Sequence, residues 1–205
     1  KNNKIQLENI KTKISLKSLI KDKFAFTGIS ISTKAIPIRD LLGFTRSIKN
    51  DPKLFIVEQL VKEGFIVADI ILKFDEFGKI KNNYRVNGFV DNGQISFLNK
   101  KLSKLNFNFQ FSEKEYIFND IQLLLNDKKI LIPEVIALKK DNEFLVSGKL
   151  NSKNLYLKQK DIDGFIRNDF LISNIKELKF NSESNFTFKI DKKFKLKNLN
   201  IKSSI

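Results

Sequence analysis

The stretch Leu105-Asn-Phe-Asn-Phe-Gln-Phe-Ser112 alternates strictly between apolar and polar residues. Successive side chains of an extended strand point to opposite faces, so the leucine and the three phenylalanines share one face and the polar residues share the other. This pattern predicts a half-buried antiparallel strand. The same two-residue period recurs at Ile66, Ala68, Ile70, Leu72 and Phe74, at Tyr84, Val86, Gly88 and Val90, at Ile95 and Phe97, and at Phe186, Phe188 and Ile190.

Short polar segments separate most of these apolar runs at similar intervals. They are rich in asparagine, aspartate and lysine, and asparagine, aspartate and glycine supply the backbone conformations that tight hairpins need. Because no long crossover segment lies between the runs, the sequence predicts a mainly β protein with an antiparallel up-and-down meander. The predicted turns lie at 75–79, 91–93, 112–115, 126–129, 139–142 and 151–154.

One interval, 36–64, breaks the two-residue period. Its apolar residues have helical spacing between Ile38 and Ile48 and again from Leu54 onward, and Pro52 favours the start of a helix. We therefore expect two short inserted helices over about 38–49 and 52–63, the second of them ended by Gly64. Upstream, the alternation changes phase at Gly28, which predicts a β-bulge.

These patterns divide the chain into four segments. Strands of the sheet are expected over 1–35, the helical insert over 36–64 and the main β-meander over 65–157. Residues 158–205 are expected to continue with a helix, at 158–166 or at 168–178, and with further strands. The sequence of 195–202 loosely repeats that of 6–13, so a second repeat is expected to begin there.

Composition excludes several kinds of catalytic and metal site. The 205 residues contain no histidine and no cysteine, which rules out a Ser-His-Asp triad, a Cys-His pair and a Cys/His zinc site. Asp161-Ile-Asp-Gly164 lacks the remaining ligands of a calcium loop, and Glu113 and Glu115 fall in a predicted turn, where solvation accounts for them. The glycine patterns that bind nucleotides are missing. We therefore expect no enzyme and neither a cofactor nor a metal.

The net charge of +15 comes almost entirely from lysine. Arginine, which recognises bases and phosphates through its bidentate fork, occurs only at Arg39, Arg46, Arg85 and Arg167. The phenylalanines align with aliphatic residues, away from the lysines, whereas single-stranded nucleic acid is bound on faces that carry both. We therefore do not expect nucleic acid as a partner. The charge is expected to solvate the protein, with attraction to anionic lipid as an additional role.

The aromatic residues are mainly phenylalanine, with 20 Phe against three Tyr and no Trp. The apolar face could be buried in a closed sandwich or barrel. It could also form a curved, open or half-open β-groove for acyl chains, where each buried methylene contributes about 0.8 kcal/mol. Periodicity leaves both alternatives open, since both place this face away from water. The predicted lining is Ile66, Ala68, Ile70, Leu72, Phe74, Val86, Val90, Leu105, Phe107, Phe109, Phe111, Phe118, Val146, Phe186 and Phe188.

A resemblance to a known family rests on two consecutive stretches. They are Phe65-Ile-Val-Ala-Asp-Ile-Ile-Leu-Lys-Phe-Asp-Glu-Phe-Gly-Lys-Ile80 and Tyr84-Arg-Val-Asn-Gly-Phe-Val-Asp-Asn-Gly-Gln-Ile-Ser-Phe97. Together they resemble the recurring unit of the AsmA-like superfamily, in particular of its long YhdP/TamB-type members. The segments at 116–123 and 144–150 are similar to later parts of the same unit, so the resemblance covers roughly 1–157.

The resemblance implies a periplasmic, repeating β-groove protein that is anchored in the inner membrane. Such a protein would move phospholipid toward the outer membrane, with acyl chains, the membrane and other envelope proteins as partners and with no catalytic residue. The chain begins at Lys1 and contains neither a signal pattern nor an apolar span of about 18 residues, so we expect a fragment anchored through a segment not present here. The alternative is a closed β-sandwich that serves as an envelope scaffold or adaptor without a ligand.

Overall fold

A computed structural model describes residues 5–21, 24–48, 52–97, 100–125, 128–141, 143–158, 177–191 and 195–204. All strands within these residues join a single sheet, and three short helices accompany them. In chain order the elements are β1 (Leu7–Ile14), α1 (Leu16–Ile20), β2 (Phe26–Thr33), β3 (Ile36–Pro37), α2 (Ile38–Ile48), α3 (Pro52–Leu60), β4 (Val61–Lys73), β5 (Arg85–Phe97), β6 (Lys100–Phe111), β7 (Glu115–Leu125), β8 (Lys128–Lys140), β9 (Glu143–Lys158), β10 (Glu177–Asp191) and β11 (Leu196–Ser204).

The strands pair almost in the order in which they occur in the sequence. From edge to edge the sheet runs β1-β2-β4-β5-β6-β7-β8-β9-β10-β11, and the short β3 pairs with β4. Every pairing is antiparallel. Because β1 and β11 end the described sheet at opposite edges, the sheet is not closed into a barrel. This confirms the predicted open antiparallel meander, and the described strands do not form the two packed sheets of a sandwich.

Helix α2 covers one part of the sheet and leaves most of it without a second layer among the described residues. Ile38, the first residue of α2, packs against a buried cluster formed by Ala68, Val90 and Phe109. Helix α3 contacts α2 and also reaches β4 and β5. The two helices therefore lie near the end of the sheet at which β4 begins, as the predicted position of the insert requires.

Gly64 does not end a helix, which corrects the sequence-based prediction. Helix α3 stops at Leu60, and Gly64 lies inside β4 with a φ of 123°. A Cβ atom at Gly64 would lie 2.7 Å from the Cα atom of Gly93 on β5, so only glycine allows the two backbones to approach this closely. The glycine that resembled a C-cap is needed for strand packing, and β4 begins four residues before the predicted strand at 65.

Most of the predicted turns lie between strands, but two do not. The segments at 75–79, 112–115, 126–129 and 139–142 fall where one strand ends and the next begins. The segment at 91–93 instead lies inside β5, where Asn92 has a φ of 51° and its N–H donates to Asn106 Oδ1 at 2.7 Å. It forms a bulge, because the register shifts on both sides of Gly93. The segment at 151–154 lies inside β9.

Three further details concern the ends of the chain. The predicted bulge at Gly28 is confirmed, since Lys13 pairs with Gly28 while the next residue, Ile14, pairs with Phe26. Helix α1 was not predicted; it begins after Ser15, whose side chain accepts a hydrogen bond from the N–H of Ser18 at 3.2 Å. The third helix, expected at 158–166 or 168–178, falls mainly on 159–176, outside the described residues.

Candidate functional site

One face of the sheet, called the apolar face below, is crossed by a row of nine directly paired residues. Each residue lies opposite the next on the neighbouring strand, so all nine side chains project on the same side. With strands about 4.8 Å apart, the row is about 38 Å long. From β1 to β10 it comprises Ile10, Ile31, Ile70, Val86, Phe111, Tyr116, Ala137, Val146 and Phe188.

A second row runs beside the first, two residues along each strand. It extends from β4 to the edge strand β11 and contains no charged side chain. Its members are Ala68, Gly88, Phe109, Phe118, Val135, Gly148, Phe186 and Ile201. The two rows together form a strip of hydrocarbon that continues across most of the sheet.

The structure brings the residues predicted to line a groove onto this one face. Nine of the fifteen belong to the two rows, and Ile66, Val90 and Phe107 flank the second row on β4, β5 and β6. Leu72 extends the face along β4 and Phe74 extends it just past the end of β4, since they follow Ile70 at two-residue intervals. Leu105 lies beside Val90, because a Cβ atom at Gly93 would be 3.2 Å from Leu105 Cβ and 3.4 Å from Val90 Cγ1.

Sequence analysis missed several members of the rows, notably Val135 and Ala137 on β8. These two residues alternate with Ile136 and Leu138, which are also apolar, so the two-residue period does not identify which pair shares the face with phenylalanine. The strand pairing shows that Ala137 belongs to the apolar face, since it lies opposite Tyr116 and Val146. The other members that the predicted lining did not include are Ile10, Ile31, Gly88, Tyr116, Gly148 and Ile201.

Aromatic rings form a contiguous layer on the centre of the apolar face. Phe109 stacks on Phe111 with ring centroids 4.7 Å apart, and only 2% of Phe109 is exposed. Phe107 and Phe111 remain half-buried. Neighbouring rings of one sheet therefore bury part of one another without a second sheet. The layer consists of Phe107, Phe109, Phe111, Tyr116, Phe118 and Phe144, with centroids of contacting rings 4.7–6.3 Å apart.

The opposite face, called the polar face, has a different composition. Asn108 and Gln110 of β6 are exposed there, as the alternation at 105–112 predicts. Ile117 and Ile136 interrupt the polar face with a half-buried apolar pair. A row directly comparable to those of the apolar face comprises Ser32, Asp69, Asn87, Gln110, Ile117, Ile136, Ser147, Thr187 and Asn200.

The apolar face is accessible at its edges and partly accessible at its centre. Ile10 on β1 is 55% exposed and Ile201 on β11 is 56% exposed. Between them Phe111, Tyr116 and Phe188 are half-buried. Side chains of this kind are stabilised when further hydrocarbon removes their remaining surface from water. The face is therefore suited to binding an apolar ligand over a long, narrow contact.

Two tyrosines have perturbed acidity. The pKa of the Tyr84 phenol is raised, first by burial and then by Tyr116, which interacts with it electrostatically and through a side-chain hydrogen bond, with a smaller effect of the Glu113 carboxylate. The pKa of Tyr156 is raised chiefly by its hydrogen bond to Glu177. Tyr84 precedes β5 at the end of the apolar face that α2 and α3 leave uncovered.

Within the described part of the chain, no cluster of acidic side chains is arranged to hold a metal ion. None of the described helices combines the length and the apolar character needed to span a bilayer. Comparisons of the chain with protein-family models, with curated proteins and with solved structures found no match. The resemblance to the AsmA-like superfamily therefore rests on the residues quoted above and stays a prediction.

Proposed function

We propose that this chain binds phospholipid through its apolar face and conducts it between the membranes of a cell envelope, as a segment of a periplasmic protein anchored in the inner membrane. The observation that supports the proposal is the row of nine paired apolar residues that crosses the open sheet from Ile10 to Phe188. Among the described residues most of this row has no covering layer, although covered hydrocarbon would contribute more to stability than uncovered hydrocarbon.

The dimensions of the row suit an acyl chain. The hydrocarbon core of a bilayer is about 30 Å thick, so one acyl chain occupies about 15 Å. A row about 38 Å long accommodates one chain with room for displacement along its length. Each methylene transferred from water to this face contributes about 0.8 kcal/mol when it is fully buried.

The side chains of the apolar face also suit the movement of an acyl chain along the two rows. Apart from the Tyr116 hydroxyl, the two rows carry only hydrocarbon side chains and glycine. Hydrophobic attraction is non-directional, so an acyl chain meets similar contacts at successive positions along the rows. The lack of a charged side chain in either row removes the most costly barrier to such sliding.

The positions of charged side chains also favour lipid on the apolar face and water on the polar face. Lys149 on β9 and Lys202 on β11 are exposed on the polar face, in register with Glu134 and Asn185. The chain has 38 basic and 23 acidic residues. Exposed lysines on the polar face keep that side of the sheet hydrated while the other side holds lipid.

Photo-crosslinking in cells tests the proposal. A benzophenone amino acid placed at Phe111, Tyr116 or Phe188 should form adducts with lipid, whereas the same residue at Gln110 or Thr187 should not. Native mass spectrometry of the purified chain should detect phospholipid in parallel. The proposal is wrong if both sets of positions give the same lipid yield, or if no lipid is found on a well-folded protein.

The main competing outcome is also visible in this experiment. If the apolar face is covered by protein, the benzophenones at Phe111 and Phe188 will form adducts with polypeptide, and the lipid adducts will be missing. That result would support the scaffold or adaptor function and would exclude lipid conduction along these rows.

A further inference from the structure

A pocket of about 550 Å³ lies at the first strands of the sheet and is lined by four lysines. Lys11 and Lys13 come from β1, Lys73 ends β4, and Lys81 follows shortly after. Lys81 is held in place by its own N–H, which donates to the carbonyl of Lys73 at 2.7 Å. Three different segments of the chain thus contribute four lysines to the lining of one cavity.

Strand pairing places this pocket on the polar face. Lys11 pairs with Ser30, which pairs with Ile71, and Lys13 pairs with Gly28, which pairs with Lys73. These residues alternate with the members of the apolar face on the same strands, so they project on the opposite side. The sheet therefore separates the pocket from the proposed acyl-chain surface, and the inference below does not depend on the proposed function.

Gly28 lines the pocket at a close approach of β2 and β4. This residue is buried, and a Cβ atom there would lie 3.1 Å from the carbonyl oxygen of Leu72. The neighbouring Ser30 lines the pocket, and its hydroxyl makes no hydrogen bond to any described residue. A hydroxyl without a described partner and four lysines in one lining favour an acceptor-rich ligand.

The described residues that line the pocket carry no negative charge. Within the part of the chain that the structure describes, none of the four lysines has a carboxylate within 4.0 Å. Arg85 pairs with Ile71 and adds a fifth cation on the same face. The nearest acidic residue on that face by register is Asp69, two residues beyond Ile71. Asp75 accepts hydrogen bonds from the N–H groups of Phe77 and Lys79.

We propose that this lysine pocket binds a phosphate ester that carries a short apolar portion. Like charges held together in the empty pocket repel one another, and a bound anion removes this cost. Lysine acts as a point charge that suits the tetrahedral phosphate, whereas planar carboxylates favour the arginine fork. Among the apolar residues of the lining, Ile71 projects on the polar face with the lysines, and the methylene stems of the lysines add further hydrocarbon beside it. The volume of the pocket, about 550 Å³, lies within the range of about 300–1,000 Å³ that is usual for small-molecule sites.

Calorimetric titration of the full chain with two probes tests this site and distinguishes two sources of phosphate. Glycerol 3-phosphate represents a free phosphate ester, and dihexanoyl phosphatidic acid below its micelle concentration represents a lipid headgroup with apolar chains. Binding of both probes indicates that phosphate is sufficient. Binding of the lipid probe alone indicates that the apolar lining contributes, and either result supports the site.

A matched pair of double variants then separates the pocket from general charge. Lys13→Gln/Lys73→Gln should weaken binding of the better probe by about tenfold or more. Lys149→Gln/Lys202→Gln removes the same charge from exposed positions of the polar face and should leave the affinity within about twofold. Equal weakening in both double variants would show non-specific attraction and overturn the proposal, as would failure of the unmodified chain to bind either probe. Thermal unfolding verifies that each variant is folded.

Discussion

The ring of Phe109 lies over Gly88 on the neighbouring strand. The two residues are direct partners in the sheet, and a Cβ atom added at Gly88 would lie 2.6 Å from Cζ of Phe109. The same arrangement occurs on β9 and β10, where a Cβ atom at Gly148 would lie 2.5 Å from Cζ of Phe186. Each glycine leaves room for an aromatic ring to lie against the sheet, and this contributes to the low exposure of Phe109.

Replacement of Gly88 by alanine tests this relationship. The new methyl group would also lie 2.1 Å from the carbonyl oxygen of Val67, so ring and backbone must both shift. We expect the free energy of unfolding to fall by about 1–3 kcal/mol in urea unfolding. The control Gln110→Ala, at an exposed position of the polar face, should change it by about 0.5 kcal/mol or less. An unchanged stability in Gly88→Ala would show that Phe109 does not need the space.

The strands were predictable because their signal is local. The alternation at 105–112 identifies both the strand and its buried face, and the helical spacing from Ile38 identifies α2 to within a residue. The glycine signals were less informative. Gly64 and Gly93 mark places where two strands approach each other, and the sequence of one strand does not contain the partner that makes glycine necessary.

The candidate site was only partly predictable, for a related reason. The phenylalanines of the lining are visible in the sequence, but their joining into one row depends on the register of nine strands. The lysine pocket depends even more on register, because Lys11 and Lys73 are 62 positions apart and meet only through the intervening strand β2. Whether the apolar face stays uncovered is a property of the fold, and periodicity does not report it.

A carboxylate placed in the middle of the nine-residue row should interrupt lipid binding. Ala137 is half-buried between Tyr116 and Val146, so Ala137→Asp puts a charge where an acyl chain would pass. We expect the amount of lipid that co-purifies to fall by about tenfold, which corresponds to about 1.4 kcal/mol. Ser147→Asp adds the same charge on the polar face, opposite Ile136, and should retain lipid. Equal lipid retention in the two variants would contradict the proposed path.

The pairing of α2 with α3 should depend on Arg46. Its guanidinium lies 2.8 Å from Glu58 Oε2 and 5.5 Å from the centre of the Phe55 ring. Because these contacts are partly exposed, Arg46→Ala should cost only about 0.5–1 kcal/mol. The loss should appear as faster amide hydrogen exchange within 38–60 and not in the central strands. Arg39→Ala is the control, since Arg39 is exposed and forms no ion pair with a described residue. Similar exchange in both variants would mean that Arg46 does not join the helices.

Alkaline pH should destabilise the protein partly through Tyr84. Burial raises the pKa of its phenol above the ordinary value of 10.0, so between these two values the unfolded chain has released the proton while the folded chain still holds it. The unfolded state then binds fewer protons, and the free energy of unfolding must fall as the pH rises above about 10. Tyr84→Phe cannot ionise and should show a smaller decrease when urea unfolding is measured on both sides of pH 10. Lysine titration is common to both proteins and cancels in the comparison. If the two proteins lose stability in parallel, Tyr84 ionises equally easily in the folded and unfolded chains and its hydroxyl is not shielded by the sheet.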